Sequence, residues 1–367
     1  MVIYLRSTDG NPDSRLQKYL DNLSTRNINY HVLCWDRYLK FENNYYFSYF
    51  HKKAEYGSGM KNIFKLLLFN IFLLIQLYKK RNTYQIIHAC DFDTILPAIL
   101  IKIIFNKIVI YDIFDWFVDS REFHNSVIKK IIILFERISL KKADVTIICE
   151  EERKKQLCIE PKKLWILPNI PHFNTTLNNT KCTLNEKIKI SYVGVLTKHR
   201  GIEKVLEIVA KNPDTLSIEI AGFGELEKQV LRYENNYSNI CYHGSVPYEK
   251  GLSIMNNSDL ILAIYETDIP NHIYAAPNKY YEGLYLGIPI ITTQNTFVGE
   301  KTEKFKTGFS VGESMLELNT FFANISINEI KERGINAKKI WEGTYFNFIN
   351  DFMKNKYIPF IKREGVN

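Results

Sequence analysis

The stretch "YQIIHACDFDTILPAILIKIIFNKIVIYDI", residues 84–113, decides the fold. Its ends, 84–91 and 107–113, are short and mainly apolar, while 94–105 is long enough for a helix. Continuous apolar strands are buried on both faces, and a parallel pair needs a crossover of about a dozen residues. The stretch therefore predicts strand, helix, strand: one unit of a parallel sheet covered on both sides. Working outward, the pattern repeats. "MVIYLRS" (1–7) and "INYHVLCW" (28–35) read as strands around the helix "SRLQKYLDNLSTRN" (14–27). A helix at 62–80 precedes the quoted unit, and "NSVIKKIIILFERISLKKA" (125–143) follows it as a long helix before the strands "DVTIICE" and "LWILPN".

The alternation stops at "NIPHFNTTLNNTKCTLNEK" (169–187), which is rich in Asn and Thr, lacks apolar periodicity and reads as a linker. It then resumes with strands "IKISYVG", "LSIEIAG", "NICYHG" and "DLILAIY", a helix at 278–286 and a strand at 288–293; the tail 327–361 is largely helical. The expected architecture is α/β, with two doubly wound Rossmann-like domains facing a central cleft and ligands at the carboxyl ends of the strands.

Composition narrows the partners. The chain has 367 residues, more than one ordinary core, and is 46% hydrophobic and 24% charged, which excludes a disordered chain. A net charge of +8 suits anionic partners such as lipid headgroups or phosphorylated small molecules. Its basic residues are dispersed rather than striped and no recognised motif appears, so no nucleic-acid partner is expected. Six cysteines (34, 90, 149, 158, 182 and 241) include no CxxC pair and read as reduced thiols. "MVIYLRSTDG" lacks the regions of a signal peptide, so a cytoplasmic placement is expected. In "NIFKLLLFNIFLLIQLYKK" (62–80), Lys65, Asn70 and Gln76 interrupt an apolar run too short to span a bilayer. Two readings stand for it: a packed helix of the first domain, or a helix lying on the inner face of the membrane with Lys79 and Lys80 at the headgroups.

Glycine marks the candidate chemistry. Gly194, Gly222 with Gly224, Gly244 and Gly283 stand at what read as strand-to-turn junctions, where glycine lets backbone approach a ligand. Lys198 and Arg200 precede a helix starting near Gly201, a place for phosphate oxygens, or else for solvated charges on ordinary tight turns. "APNKYYEGLYLGIPIITT" (276–293) then sets Pro277, Asn278 and Lys279 at a helix start, ahead of the lone carboxylate Glu282. A helix N-terminus offers unpaired N–H groups and a positive dipole end to an anion.

Four segments in order, "YVGVLTKHRGIEKVLEIV", "IEIAGFGELEKQV", "ICYHGSVPYEKGLSIMNNSDLILAIY" and "PNKYYEGLYLGIPIITT", resemble the retaining GT-B glycosyltransferases of family four, many of which build bacterial surface polysaccharides. "DSRLQKYLDNLSTRNINYHVLCWDR", "IIHACDFDTILPAI", "ADVTIICE" and "LWILPNIPHF" extend the likeness over nearly the whole chain, most specifically over 187–312. The resemblance implies an acceptor-binding domain at 1–168, joined by a C-terminal helix of about 347–367, and a nucleotide-sugar domain at 169–346. It implies that Glu282 accepts hydrogen bonds from ribose hydroxyls and that Pro277, Asn278 and Lys279 face diphosphate and sugar. Arg200 is the best diphosphate contact, with Lys198 as substitute. Gly194, Gly222 and Gly224 let loops pass the donor, and Val246, Pro247 and Tyr248 lie along the nucleobase.

Two positions depart from the family pattern. Tyr274 stands where a first acid is common, and Val195 where many members have Arg. On the acceptor side Gly10, Asn11, Asp91, Asp93 and Trp116 end strands or flank them. Asp115 replaces a histidine that touches the donor sugar in many relatives. Asp93 and Asp119 read equally as helix caps, and His88 as a core histidine. The implied reaction moves a hexose from a nucleotide diphosphate sugar, UDP before GDP, to a lipid-linked capsule, O-antigen or exopolysaccharide precursor, with no metal. Alternatives are a nucleotide-sugar 2-epimerase of the same fold and a non-catalytic partner subunit.

Overall fold

The computed structural model describes residues 1–10, 13–54, 62–119, 126–157, 159–171 and 187–365. The chain divides into two compact units, Met1–Pro168 with Asn347–Asn367, and Asn169–Phe346.

The first unit is built on seven parallel strands: β1 (Val2–Arg6), β2 (Tyr30–Asp36), β3 (Phe47–His51), β4 (Ile86–Cys90), β5 (Ile108–Ile113), β6 (Val145–Ile148) and β7 (Leu164–Ile166). Their order is β3-β2-β1-β4-β5-β6-β7. Successive side chains of a strand point to opposite faces, so β1 sends Ile3 and Leu5 into one core and Val2 and Tyr4 into another. Helices Ile63–Lys79, Phe92–Phe105 and Ser126–Lys142 cover the first face; Phe69, Leu73 and Leu77, spaced by four, are the buried stripe of the first of these. Helix Ser14–Ser24 and the C-terminal segment carrying Phe352, Tyr357, Phe360 and Ile361 cover the second.

The second unit has six parallel strands: β8 (Ile188–Val193), β9 (Leu216–Ala221), β10 (Ile240–Tyr242), β11 (Leu260–Ala263), β12 (Ile290–Thr293) and β13 (Gly308–Val311). Their order is β10-β9-β8-β11-β12-β13. Each sheet reverses its winding once, between β1 and β4 and between β8 and β11, and such reversals are where open α/β sheets bind ligands.

Two details depart from the sequence reading. Strands β3 and β13 were not foreseen, because "FSYFH" and "GFSV" are short and mixed in polarity. Gly283 is at no junction: it lies inside helix Asn278–Leu286, where an added Cβ would come within 2.8 Å of the Ile288 carbonyl oxygen. Of the linker 169–187, residues 172–186 lie outside the described residues.

Candidate active site

The loops at the carboxyl ends of β8, β9 and β10 are laced by backbone. Gly194 donates its N–H to Ala221 O (3.0 Å), Leu196 to Phe223 O (2.8 Å) and Gly222 to Gly244 O (2.8 Å). This closeness requires glycine at 222: with φ at +147°, a Cβ there would sit 1.8 Å from the Gly194 oxygen. At Gly194 the obstacle would be functional, since a Cβ would lie 2.9 Å from the Lys279 ammonium nitrogen.

Lys279 stands in the first turn of helix Asn278–Leu286, whose N-cap, Pro277, makes no side-chain hydrogen bond. Its Nζ lies over the Tyr192 ring, 4.6 Å from the centroid, and Tyr192 is fixed by donating its hydroxyl to Val195 O at 2.7 Å. Arg200 lies likewise over Tyr265, at 4.4 Å. Rings on neighbouring strand ends thus hold both cations by their negative faces. Among the described residues, neither cation has a carboxylate within ion-pair distance. Burial pushes the Lys279 amine down to about 8; Arg200 pushes the same way and Glu282 opposes.

Glu282, one turn along the helix, is only 5% exposed. Its Oε1 accepts the Tyr248 hydroxyl at 3.1 Å, and burial raises its pKa against the opposing pull of Lys279 and that hydrogen bond. Tyr248 opens helix Tyr248–Asn256, with Pro247 exposed and Val246 half-buried before it. Lys198 is exposed, and its backbone N–H donates to Glu225 (2.9 Å). Gly224 packs against the Leu196 carbonyl, Tyr274 ends the short helix Pro270–Ile273, and Asn278 is exposed.

The arrangement offers two cations and free helix amides to an anion, and, one turn away, a buried acceptor for hydroxyl groups. Beside it, His199, Glu266 and Asp268 bring ligand atoms within 4.8 Å of one another, the geometry of a cation site. His199 Nδ1 lies 2.7 Å from Asp268, and the Lys204 ammonium pairs with Glu266 at 2.8 Å, so part of the acidic charge is already neutralised.

In the first unit, Asp91 and Asp93 follow β4 at the β1–β4 reversal, while Gly10, after β1, lies against Cys34, Leu16 and Phe47. Asp91 adopts φ +64° and ψ 169°, a conformation nearly confined to glycine, and is held there by Arg6 (2.6 Å) and the Phe114 N–H (2.8 Å). Burial pushes its carboxyl up to about 6, against the pull of Arg6. Asp93 accepts the Ser7 hydroxyl at 3.0 Å. Asp115 has a mostly exposed side chain that pairs with Arg153 at 3.1 Å, and Asp119 accepts from Gln156 rather than capping a described helix. His88 is a core residue, bonded to Tyr357 at 2.9 Å.

Trp116 is 4% exposed, its ring packed in the core of the first unit. Asn11 lies outside the described residues. Residues that sequence reasoning missed are the supports: Tyr192 and Tyr265 under the cations, and Arg6 and Arg153 behind the carboxylates. For Tyr192, Tyr265 and Arg6 the only sequence signal is an aromatic or a cation at or just past the end of a strand, and Arg153, in the short turn Glu151–Gln156, carries none.

Known proteins complete the description. Residues 178–319 match the family described as glycosyl transferases group 1. The "Uncharacterized glycosyltransferase MJ1069" of Methanocaldococcus jannaschii is 32% identical over 82 residues, which span only 21% of this chain and 21% of that protein. Among solved structures, sucrose-phosphate synthase from Thermosynechococcus elongatus superposes with a TM-score of 0.71 at 15% identity, covering 99% of this chain and 100% of that one. Anabaena Alr3699/HepE in complex with UDP and glucose gives 0.70 at 12% identity, covering 98% and 100%. The fold is thus of GT-B type, and the matched segment is similar to glycosyl transferases group 1.

Proposed function

We propose that the protein transfers a hexose, with retention of configuration, from a nucleotide diphosphate sugar held by the second unit to a lipid-linked saccharide precursor of a surface polysaccharide. The observation that carries this reading is the pairing of Lys279 and Arg200, cations with no carboxylate within ion-pair distance among the described residues, with a helix N-terminus and the buried Glu282. The diphosphate gains charge as the glycosidic bond breaks, and preorganised cations and amides stabilise that charge most where water is excluded. Glu282 and Tyr248 then receive the ribose hydroxyls. Gly194 clears the space beside the ammonium, so that the sugar-bearing phosphate reaches Lys279 directly. These groups supply the charge that a metal would otherwise bring. UDP is the favoured nucleotide, supported by the UDP held in HepE, with GDP next.

The acceptor lies at the β1–β4 reversal, with Asp91, Asp93 and Asp115 offering oxygens to its hydroxyl and Gly10 making the turn. The leaving phosphate takes the acceptor proton in a front-face attack, and no protein nucleophile is required. Contact with the cytoplasmic face of a membrane brings the lipid-borne acceptor into reach.

The test is thermal stability against UDP, GDP, ADP and CMP, with turnover of the sugar of whichever nucleotide binds. Ligand at about 100 times its dissociation constant adds about 2.7 kcal/mol. Glu282→Ala is expected to weaken binding by roughly 10- to 100-fold, the worth of hydrogen bonds to a charged group. Full affinity in that variant would overturn the site. Binding without transfer or hydrolysis would favour the non-catalytic alternative, and conversion of the free nucleotide sugar without acceptor the epimerase.

A further inference from the structure

The outer side of the three helices on the first face of the first unit carries long exposed apolar ridges. These helices, Ile63–Lys79, Phe92–Phe105 and Ser126–Lys142, lie side by side, the middle one packing against both others. Leu67, Ile71 and Ile75 repeat every four residues along the first and are all exposed. Val127, Ile131, Leu134 and Ile138 form the same stripe on the third, with Ile103 and Ile104 between them on the second. Spacings of three and four place such residues on one helical face, so these are continuous ridges rather than scattered side chains. Monomeric surfaces seldom expose apolar patches beyond a few hundred Å² unless something covers them.

Charge says what covers this one. The acidic residues of the three helices, Asp93 and Glu136, are both buried, whereas Lys79, Lys129, Lys130, Arg137, Lys141 and Lys142 are exposed. Among the described residues, no carboxylate pairs with Lys129, Lys130, Lys141 or Lys142. An aliphatic face whose every exposed charge is positive complements an anionic lipid leaflet: chains take the ridges and lysines reach the headgroups. Between the first two helices opens a cavity of about 330 Å³, walled by Leu66, Leu74, Leu96 and Leu100 with Asn70 and Asp93 as its polar groups. It is large enough to admit a hydrocarbon chain. One of its lining residues, Asp93, takes the Ser7 hydroxyl on its carboxylate at the β1–β4 reversal. No described helix is long and apolar enough to cross a membrane, so the contact is one of lying on the surface.

We propose that this three-helix face docks on an anionic lipid bilayer, bringing the β1–β4 end of the sheet to the headgroups. The proposal extends the lipid-linked acceptor reading but rests on exposure and charge alone, and vesicle binding is measured without nucleotide sugar. Its failure would therefore leave the donor site untouched. The experiment is flotation of the full chain with vesicles of phosphatidylglycerol and phosphatidylcholine, against phosphatidylcholine alone. Wild type should float with the anionic vesicles and be released by salt. Ile131→Asp with Leu134→Asp, both at exposed positions, should stay with the aqueous phase while keeping the wild-type melting temperature. Lys129→Ala with Lys130→Ala should weaken binding roughly thirtyfold, about 1 kcal/mol per lysine. Wild type that does not float, or an Asp pair that floats unchanged, would overturn the proposal. So would sedimentation in lipid-free buffer that shows a dimer dissolved by the Asp pair, which would assign the face to a second copy of the chain.

Discussion

Lys279 shows how much one side chain's setting decides. Placed over the Tyr192 ring, half-buried and beside Arg200, its amine titrates near 8 rather than near its ordinary 10.5. The sign of the pH effect follows. In the free protein the folded state holds fewer protons than the unfolded one between about 8 and 10.5, so this group adds stability as pH rises through that window. Anion binding needs the proton and runs the other way. Nucleoside diphosphate affinity is therefore expected to fall by about tenfold between pH 7 and 9. Lys279→Arg, whose charge does not titrate, should flatten the profile, and calorimetric titration at several pH values checks both. An unchanged slope in the Arg variant would show that another group carries the dependence. At this scale "PNKYYEG" already displayed Lys279 and Glu282, since a cation and a lone acid at a helix start have few other uses. The tyrosines beneath the cations were illegible, because an apolar strand end with an aromatic looks the same whether its ring packs inward or faces a ligand.

Among elements, helix Ser14–Ser24 shows the limits of reading charge from sequence. Asp13 caps it, accepting from the Arg15 and Leu16 N–H groups at 3.1 and 3.0 Å. Arg15 and Lys18 look like the solvated face of an amphipathic helix. Instead Arg15 is buried against Asp112 of β5 at 2.6 Å and donates to the Leu167 carbonyl at 2.8 Å. Lys18 is buried beside it, pushed down to about 7 by burial and by Arg15. Burial would raise the Asp112 carboxyl, but Arg15 and His88 together hold it well below its usual range, and Tyr19 donates its hydroxyl to it at 2.9 Å. Removing one partner of a buried pair strands the other. Asp112→Ala is expected to destabilise the first unit by about 3–5 kcal/mol in urea unfolding, and adding Arg15→Met should recover part of that loss. A double variant no more stable than the single would contradict this account.

For the whole molecule, the decisive feature is that the chain's end belongs to its beginning. Residues Asn347–Asn367 join the unit formed by Met1–Pro168, where Tyr357 meets Tyr4 at 2.7 Å and His88 at 2.9 Å, and Phe360 packs its edge on Trp165. Stopping the chain after Phe346 would bare Tyr4, Tyr19 and Trp165. Such a protein is expected to lose solubility or one of its thermal transitions; a melt and midpoint matching wild type would refute the part given to this segment. The sequence by itself determined the layers: buried parallel strands need unbroken apolar runs and helices of fixed length between them, both local properties of the chain. It also marked the glycine turns and the helix start, because backbone conformation and capping are settled within a few residues. Only the tertiary structure decided which charges are solvated and which are paired, that Trp116 turns inward, and that three amphipathic stripes merge into one apolar face. Those outcomes depend on residues tens to hundreds of positions apart, and proximity across the fold, which periodicity does not encode, sets both burial and electrostatic partner.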